Sequence, residues 1–213
     1  TNKDMYPFFK NPIQPSANQL NIESTYSEPE YSFRKINFHK NLNLHGYFQS
    51  EKYFGFCKDK VKQAFTPSDA INSTIDNKYK DILNSNTCSI HIRRGDFVGN
   101  STHSVCDENY YKRAMELIKS KTNIDNFLIF SDDINWCKSV FDSVVFIEGN
   151  VDVEDLFLMS KCKHNIISNS SFSWWGSWLN TNPDKIIIAP NKWFGDGSSI
   201  NDKDVYTSEM IRI

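Results

Sequence analysis

Two adjacent arginines, Arg93 and Arg94, end a short β-branched stretch in the segment HIRRGD at residues 91–96. A buried strand normally excludes guanidinium groups, because taking them out of water is costly unless an anion meets them. A guanidinium also offers a planar fork of N–H donors that matches the oxygens of a phosphate. The two arginines therefore predict a local anion site, and a diphosphate is the ligand that fits two neighbouring forks.

Polar side chains also follow two other apolar stretches of the chain. Asp132 and Asp133 come at the end of NFLIFSD and just after it, while Asn169, Ser170 and Ser171 end the stretch HNIISN and open the next predicted helix. The free backbone N–H groups and the dipole at a helix start attract anions. We therefore expect the arginines and this helix start to face one cleft and to hold the two phosphates together.

Each of these assignments has a structural alternative. Arg93 or Arg94 could pair with Asp96 or Asp132 to hold the fold, and the serines could be ordinary helix caps. Asp132 and Asp133 could also suggest a Mg²⁺ site, but adjacent residues of an extended segment point to opposite sides. We favour carboxylates that bind a ligand or cap a helix, with no metal.

The second part of the chain must position these groups. From about residue 86, apolar runs alternate with segments of helical spacing. Strands are predicted at 88–93, 126–132, 144–149, 164–169 and 185–190, and helices at 107–121, 134–141, 153–162 and 170–181. This alternation indicates an α/β fold, a Rossmann-like domain at 86–213 whose parallel sheet carries helices on both faces. Ligands of such sheets bind at the carboxyl ends of the strands, where the polar residues stand.

Residues 1–85 carry a weaker structural signal. They are polar, rich in asparagine and interrupted by prolines, and one segment, LHGYFQSEKYF at 44–54, groups aromatic residues around a glycine. We predict a partial N-terminal domain there, ahead of the Rossmann-like domain.

Composition excludes several classes of protein. The 213 residues include 24 Lys+Arg and 26 Asp+Glu, a net charge of −2, so the chain lacks the positive field of a general nucleic-acid binder. Five scattered cysteines without a CxxC pair indicate reduced thiols. No apolar run resembles a signal peptide or a membrane span, so we expect a cytoplasmic protein. The absence of GxSxG, P-loop and GxGxxG motifs argues against a serine hydrolase, a P-loop kinase and an ordinary dehydrogenase.

Six segments, in order over about 150 residues, carry a resemblance to a known family. They are LHGYFQSEKYF (44–54), HIRRGDFV (91–98), HSVCDENYY (103–111), FSDDINW (130–136), DLFLMSKCKHNIISNSSFSWWGSWL (155–179) and IIAPNKWF (187–194). The sequence resembles glycosyltransferase family 11, the α-1,2-fucosyltransferases. The long segment that ends in SNSSFSWWGSWL is the most specific of the six.

The resemblance implies a GT-B-like fold with two Rossmann-like domains, of which 86–213 would bind the donor GDP-β-L-fucose. It implies an inverting transfer of L-fucose to the 2-hydroxyl of a galactose-terminated glycan, with no metal and no other cofactor. Family members usually begin with a strand and a glycine-rich GGLGNQ loop, and nothing like it precedes residue 44. We therefore expect the acceptor-side domain at 1–85 to be partial. Lipid-linked acceptors would bring the protein to the membrane periphery, although no basic amphipathic helix supports this.

The resemblance also carries roles over to single residues. By motif, His91 would contact the guanine, Arg93 and Arg94 the diphosphate, and Ser170 and Ser171 the phosphates from the helix start. The donor pocket would be completed by three further side chains, Asp132, Asp133 and Asn169.

Catalysis adds two candidates to the arginines, which would stabilise the departing GDP. His103 is the candidate base, because imidazole titrates near neutral pH, and Asp96 is its rival. The alternative function is a catalytically inactive remnant that binds a nucleotide sugar or a glycan. A third interpretation, another α/β nucleotide-binding enzyme, would predict a preference for ATP or NAD over GDP.

Overall fold

The structure is a computed structural model that describes residues 8–10 and 21–213. Its contacts divide the chain into two compact units, one of residues 1–68 and 199–208 and the other of residues 69–198 and 209–213. The sequence analysis placed the boundary at residue 85, and the part of that first domain at 1–7 and 11–20 lies outside the described residues. The composition change near residue 86 marks the first buried strand, whereas the contacts divide the chain further upstream.

The first unit contains little regular structure. Strands β1 (Ser24–Ser27) and β2 (Leu42–His45) form a short parallel ladder. Two 3-10 turns, Glu51–Tyr53 and Gly55–Cys57, lead into helix α1 (Lys58–Ala64). The segment 199–208 is fastened to this unit by buried Asp204, which accepts the Phe33 N–H at 2.9 Å and forms an ion pair with Lys52.

The second unit is built on a six-stranded sheet. The helices and strands of this unit are, in chain order, α2 (Asp69–Leu83), β3 (Thr87–Ile92), α3 (Glu108–Lys121), β4 (Asn126–Ser131), α4 (Ile134–Val140), β5 (Val145–Phe146), α5 (Asp152–Lys161), β6 (His164–Ile166), α6 (Ser171–Leu179), β7 (Ile187–Ala189) and β8 (Met210–Arg212). All neighbouring strands are parallel, in the order β5-β4-β3-β6-β7-β8. The predicted α/β fold with a parallel sheet is confirmed. Among the described residues, no helix is long and apolar enough to span a bilayer.

Helices cover both faces of this sheet, as predicted. Successive side chains of β3 point to opposite faces, and one face is apolar while the other carries polar groups. Ile90 packs in the apolar cluster with Tyr111 of α3. On the other face Ser89 accepts a hydrogen bond at 2.7 Å from the amide of Asn165, which also donates at 2.9 Å to the Met159 carbonyl in α5. Alternation along an extended strand therefore directs one set of residues to α3 and the other to α5.

The sequence analysis missed two elements of this unit. Helix α2 buries Ile71, Ile75 and Tyr79, which recur every four residues, but asparagines and threonine between them hide the helical pattern. Strand β8 has only three residues, all at least partly exposed, so it lacks the apolar run that reveals the inner strands. The predicted strand at 144–149 is reduced to Val145–Phe146.

A buried amide network links β3, β6 and the end of α6, and its removal should be destabilising. Asn180 donates to Asn165 Oδ1 at 2.8 Å, and both side chains are about 1% exposed. We expect Asn165→Ala to lower the free energy of unfolding by about 2–4 kcal/mol, because it leaves the Asn180 amide and the Ser89 hydroxyl without their partner. Urea titration measures this change.

Asn109→Ala is the matched control, since Asn109 is exposed on α3. That variant should stay within about 0.5 kcal/mol of the wild type. Equal losses in the two variants would contradict a stabilising role for the network.

Candidate functional site

The carboxyl ends of β3, β4 and β6 meet at the point where the strand order changes direction. Strand β3 pairs with β4 on one side and with β6 on the other. Ile92 is paired with Ser131, so the residues that follow these two strands leave the sheet side by side. Because parallel neighbours lie about 4.8 Å apart, polar residues after these strands fall within reach of one another.

Asp132 holds the residues that follow β3. Its Oδ2 lies 2.9 Å from Arg93 Nη1, and its Oδ1 accepts the backbone N–H of Arg94 at 2.9 Å. Arg93 also donates through Nη2 to Asp96 Oδ1 at 2.6 Å. A Cβ on Gly95 would lie 2.5 Å from Asp132 Oδ2, so the close approach of this carboxylate requires glycine at that position.

Arg94 is held against the start of α4. Its Nε donates to Asp133 Oδ2 at 3.1 Å, and its guanidinium carbon lies 3.9 Å from the centre of the Trp136 ring. Asp133 also caps α4, because its Oδ1 accepts the Trp136 N–H at 3.2 Å. The ion pair and the cation–π contact together fix the direction of this side chain.

The two guanidiniums therefore face three carboxylates instead of forming an unpaired positive patch. The structural alternative considered from the sequence describes Arg93, which does pair with Asp96 and Asp132. Each guanidinium nevertheless has five N–H donors, and the ion pairs between described residues use two on Arg93 and one on Arg94. The Asp96 side chain is 67% exposed, so its pair with Arg93 contributes little to stability.

His91 lies in the wall between β3 and β6. Its Nδ1 is 2.9 Å from the Ser168 hydroxyl, and its ring centre is 5.4 Å from that of Phe172. Burial lowers the pKa of His91 to about 4; the charge of Asp132 opposes this shift, and a smaller effect of the Arg93 charge adds to it. His91 is thus neutral at pH 7 and can act there as a hydrogen-bonding group but not as a cation.

Asn169 holds two loops in place. Its buried amide donates to the carbonyls of Ser104 at 3.0 Å and Trp193 at 2.9 Å, and its Oδ1 accepts from the Cys106 thiol at 3.5 Å. Both ends of the side chain are thus engaged by protein groups. In the structure this predicted donor-binding residue is buried, and its hydrogen bonds position the two loops.

The start of α6 lies directly after Asn169. Ser170 is the N-cap, and its hydroxyl accepts the Phe172 N–H at 3.3 Å. Ser171 is the first helical residue and is exposed. The helix-cap alternative thus describes Ser170, while Ser171 presents its hydroxyl to solvent.

His103 and Arg93 lie near the same aromatic ring. The His103 ring stacks on Phe97 with centres 4.9 Å apart, and it lies 5.5 Å from Phe194. Its Nδ1 is buried and has no hydrogen-bond partner within the part of the chain that the structure describes. The Arg93 guanidinium is 5.6 Å from the centre of the same Phe97 ring.

Three residues that contact the predicted site were not found from the sequence: Phe97, Trp136 and Ser168. Trp136 could have been found, because a carboxylate at a helix N-cap accepts the backbone N–H of the residue three positions later, and Trp136 stands three residues after Asp133. Ser168 gave no such signal, since its contact with His91 joins segments that are distant along the chain. Phe97 gave none either, although Arg93 and His103 are near it in the sequence.

A parallel sheet in this order, with its polar rim at the change of direction, is the arrangement of Rossmann-like α/β domains. The chain belongs to a particular family of such proteins, since the family described as Glycosyl transferase family 11 matches residues 21–213. The resemblance stated from the sequence motifs is therefore confirmed.

Several curated proteins are similar to this chain. The "Alpha-1,2-colitosyltransferase" of Escherichia coli is 40% identical over 92% of this chain and 71% of its own length. The "O-antigen biosynthesis glycosyltransferase WbnK" of Escherichia coli is 37% identical over 75% of this chain and 58% of its own length. The human "Galactoside alpha-(1,2)-fucosyltransferase 1" is 22% identical over 65% of this chain and 43% of its own length.

The chain thus spans from about two fifths to about seven tenths of the length of these relatives. Among solved structures, NodZ α-1,6-fucosyltransferase soaked with GDP-fucose aligns with 68% of this chain and 54% of its own, at 13% identity and a TM-score of 0.45.

Stability should depend on pH through His91. Its pKa is about 4 in the folded chain against the usual 6.5, so the unfolded chain takes up the proton first as the pH falls. The contribution of neutral His91 is therefore complete above about pH 6.5 and is lost between about pH 6.5 and pH 4, up to about 3 kcal/mol. We expect His91→Gln to lose this part of the pH dependence in urea titrations between about pH 7.5 and pH 4.5.

The wild-type curve alone cannot isolate His91. Burial raises the pKa of Asp155 to about 6, so that folded carboxyl takes up its proton first and stabilises the protein as the pH falls. The pKa of His164 is lowered by burial, and this residue acts in the same direction as His91. Subtracting the free energy of unfolding of His91→Gln from that of the wild type at each pH removes both effects. A difference that does not change with pH would contradict the prediction.

Proposed function

We propose that this protein is an inverting glycosyltransferase that moves L-fucose from GDP-β-L-fucose to the 2-hydroxyl of a galactoside, without a metal. The observation that carries the proposal is the rim at the carboxyl ends of β3, β4 and β6, where Arg93, Arg94 and the start of α6 follow adjacent strands of a family 11 chain. In sheets of this order, ligands bind at that rim.

Arg93 is the residue proposed to bind the diphosphate directly. Its side chain is 36% exposed, and one of its two carboxylate partners, Asp96, is largely in solvent. A phosphate that displaces Asp96 would form charge-assisted, two-pronged hydrogen bonds with a guanidinium that Asp132 already orients. Because orientation precedes binding, little side-chain entropy remains to be lost.

Arg94 is proposed to act on the departing GDP through its charge. Its contacts with Asp133 and Trp136 hold it in place before any ligand arrives. As the bond between C1 of the sugar and the phosphate oxygen breaks, negative charge develops on the β-phosphate. Fixed positive groups stabilise that charge without further reorganisation.

The acceptor hydroxyl must lose a proton as it attacks from the face opposite the departing GDP. His103 is proposed as the base, with Asp96 as its rival, because the His103 ring and the Arg93 guanidinium both lie near the Phe97 ring. An imidazole within reach of the acceptor hydroxyl can act as a general base.

The sugar and the linkage are proposed from the names of the relatives. One is called an α-1,2-colitosyltransferase and another a galactoside α-(1,2)-fucosyltransferase. Both names specify an α-1,2 linkage, and colitose is L-fucose without its 3-hydroxyl. We therefore propose a 6-deoxy-L-hexose donor, with L-fucose as the sugar.

Arg93→Ala should weaken GDP binding by at least about 30-fold, equivalent to about 2 kcal/mol or more, because a charged hydrogen-bonded contact is lost. Isothermal titration calorimetry with GDP measures the change. Arg93→Lys keeps the charge but loses the fork, so its affinity should lie between those of wild type and Arg93→Ala.

Arg113→Ala is the charge-matched control, since Arg113 is exposed on α3. It should bind GDP like the wild type. Unchanged GDP affinity in Arg93→Ala, or an equal loss in Arg113→Ala, would contradict the assignment of Arg93 to the diphosphate.

The proposed function is tested by a thermal-shift comparison of GDP, ATP and NAD, followed by transfer assays. We expect GDP to raise the melting temperature most, because a ligand that binds the folded state stabilises it. We then expect transfer to lactose from GDP-L-fucose in preference to GDP-colitose. Preference for ATP or NAD would contradict the proposal, as would GDP binding with neither donor hydrolysis nor transfer, which favours the inactive-remnant alternative.

A further inference from the structure

An open cavity of about 390 Å³ lies at the amino ends of β3, β6 and β7. Its lining comes from residues that precede or begin these strands and from the end of α3, and all of it belongs to the second unit. Because the strands are parallel, this is the edge of the sheet opposite the rim that carries Arg93 and Arg94. Small-molecule sites measure about 300–1,000 Å³, so the cavity is large enough to hold a ligand of its own.

A buried histidine lines this cavity. His164 is 5% exposed, and its Nδ1 accepts the backbone N–H of Ile186 at 3.0 Å. Burial and the nearby charge of Lys163 lower the pKa of His164, against a smaller effect of Asp184, so the ring is neutral at pH 7. In a neutral ring whose Nδ1 is an acceptor, the proton is on Nε2. That N–H has no partner in the described part of the chain and is free to meet a ligand in the cavity.

Two lysines bring positive charge to the same cavity. Lys121 ends α3, and Lys163 comes directly before β6. Among residues 8–10 and 21–213, neither ammonium has an ion pair or a hydrogen bond, whereas the nearby Lys161 pairs with Asp76 at 2.8 Å. Two ammoniums and the Nε2–H of His164 form a set of donors for an anion that has several oxygens, such as a phosphate.

One carboxylate shares the cavity with these donors. Asp184 is exposed, and its side chain forms no hydrogen bond or ion pair with the residues that the structure describes. A carboxylate only accepts hydrogen bonds, so it repels a phosphate placed directly against it but binds hydroxyl groups. The lining therefore favours a ligand that carries an anionic end and a hydroxylated end.

The walls of the cavity are fixed before a ligand arrives. Asn182 donates to the carbonyl of Lys163 at 2.9 Å, and its Oδ1 accepts the backbone N–H of Asp184 at 3.3 Å. On the other side, Asn86 donates to the hydroxyl of Thr122 at 3.4 Å, which joins the start of β3 to the end of α3. Groups that are already in position lose less entropy on binding.

We propose that this cavity binds a sugar phosphate, with the phosphate between the two lysines and the sugar hydroxyls towards Asp184. A phosphate monoester carries a charge of about −1.5 to −2 at pH 7, which two ammoniums balance. The inference goes beyond the proposed function and does not depend on it, because the cavity and the rim lie at opposite edges of the sheet.

The experiment is an NMR titration of the wild-type chain with glucose 6-phosphate, inorganic phosphate and glucose at constant ionic strength. The reporter is the ring signal of His164, one of five histidines, which is identified by its loss in His164→Gln. We expect glucose 6-phosphate to shift this signal and to bind at least about threefold more tightly than inorganic phosphate, with no shift by glucose.

Three variants test the lining. Lys163→Gln should bind glucose 6-phosphate about fivefold more weakly or worse, because a charged contact is lost. Lys161→Gln is the matched control, since it removes the same charge two residues earlier, outside the cavity, and should bind like the wild type. Asp184→Asn should bind inorganic phosphate at least as tightly as the wild type but lose the preference for glucose 6-phosphate.

The inference is overturned if glucose 6-phosphate leaves the His164 signal unchanged, if the wild type does not prefer it to inorganic phosphate, or if Lys163→Gln and Lys161→Gln lose equal affinity. Lysines near helix ends can also serve only to offset the helix dipole. In that case Lys163→Gln would lower the melting temperature while the wild type bound no phosphate, which also overturns the inference.

A lipid headgroup offers a phosphate as well, and vesicles of phosphatidylglycerol distinguish this source. Vesicle binding that depends on Lys163, without binding of glucose 6-phosphate, would overturn the assignment to a free sugar phosphate. None of these measurements uses GDP or sugar transfer, so failure of the proposed function leaves the outcome unchanged.

Discussion

The site depends on one carboxylate at the boundary of two parallel strands. Asp132 leaves β4 beside the residues that leave β3, and it binds the guanidinium of Arg93 and the backbone of Arg94 at once. Because adjacent parallel strands must keep their register, this carboxylate reaches both arginines only when the sheet is formed. The glycine between Arg94 and Asp96 is required for the same approach.

Charge compensation distinguishes the arrangement from a simple anion site. Unpaired neighbouring guanidiniums at the end of a buried strand would repel each other and be desolvated, whereas the carboxylates of Asp96, Asp132 and Asp133 offset both effects. The partners differ in exposure, and the most exposed of them, Asp96, is the one whose pairing contributes least to stability. Such a site can remain stable by itself, with Asp96 as the most weakly held of the three carboxylates.

The sequence predicted the inner strands well and the periphery poorly. Strands β3, β4 and β6 are almost entirely buried, and each lies in a stretch of sequence with recurring isoleucines or other apolar residues, so the strands and the polar residues after them were found. Helix α2 and strand β8 are stabilised mainly by tertiary contacts, so their own composition reveals them less. The contacts also group residues 199–208 with the first unit through the buried side chain of Asp204, and no pattern along the chain indicates this grouping.

By itself, the sequence determined the family, the α/β class and the set of polar residues that gather at one rim, because these follow from motifs, apolar runs and the parallel order of strands. Only the tertiary structure decided which groups those residues meet. In the structure Arg93 pairs with two carboxylates, and Arg94 packs against a tryptophan. Asn169 donates hydrogen bonds to two loops, and Tyr47 is exposed on a turn whose backbone N–H groups bind Glu28. Apart from Asp96, which is three residues from Arg93, these partners lie 19 or more residues apart along the chain, and their distances depend on packing that no local pattern records.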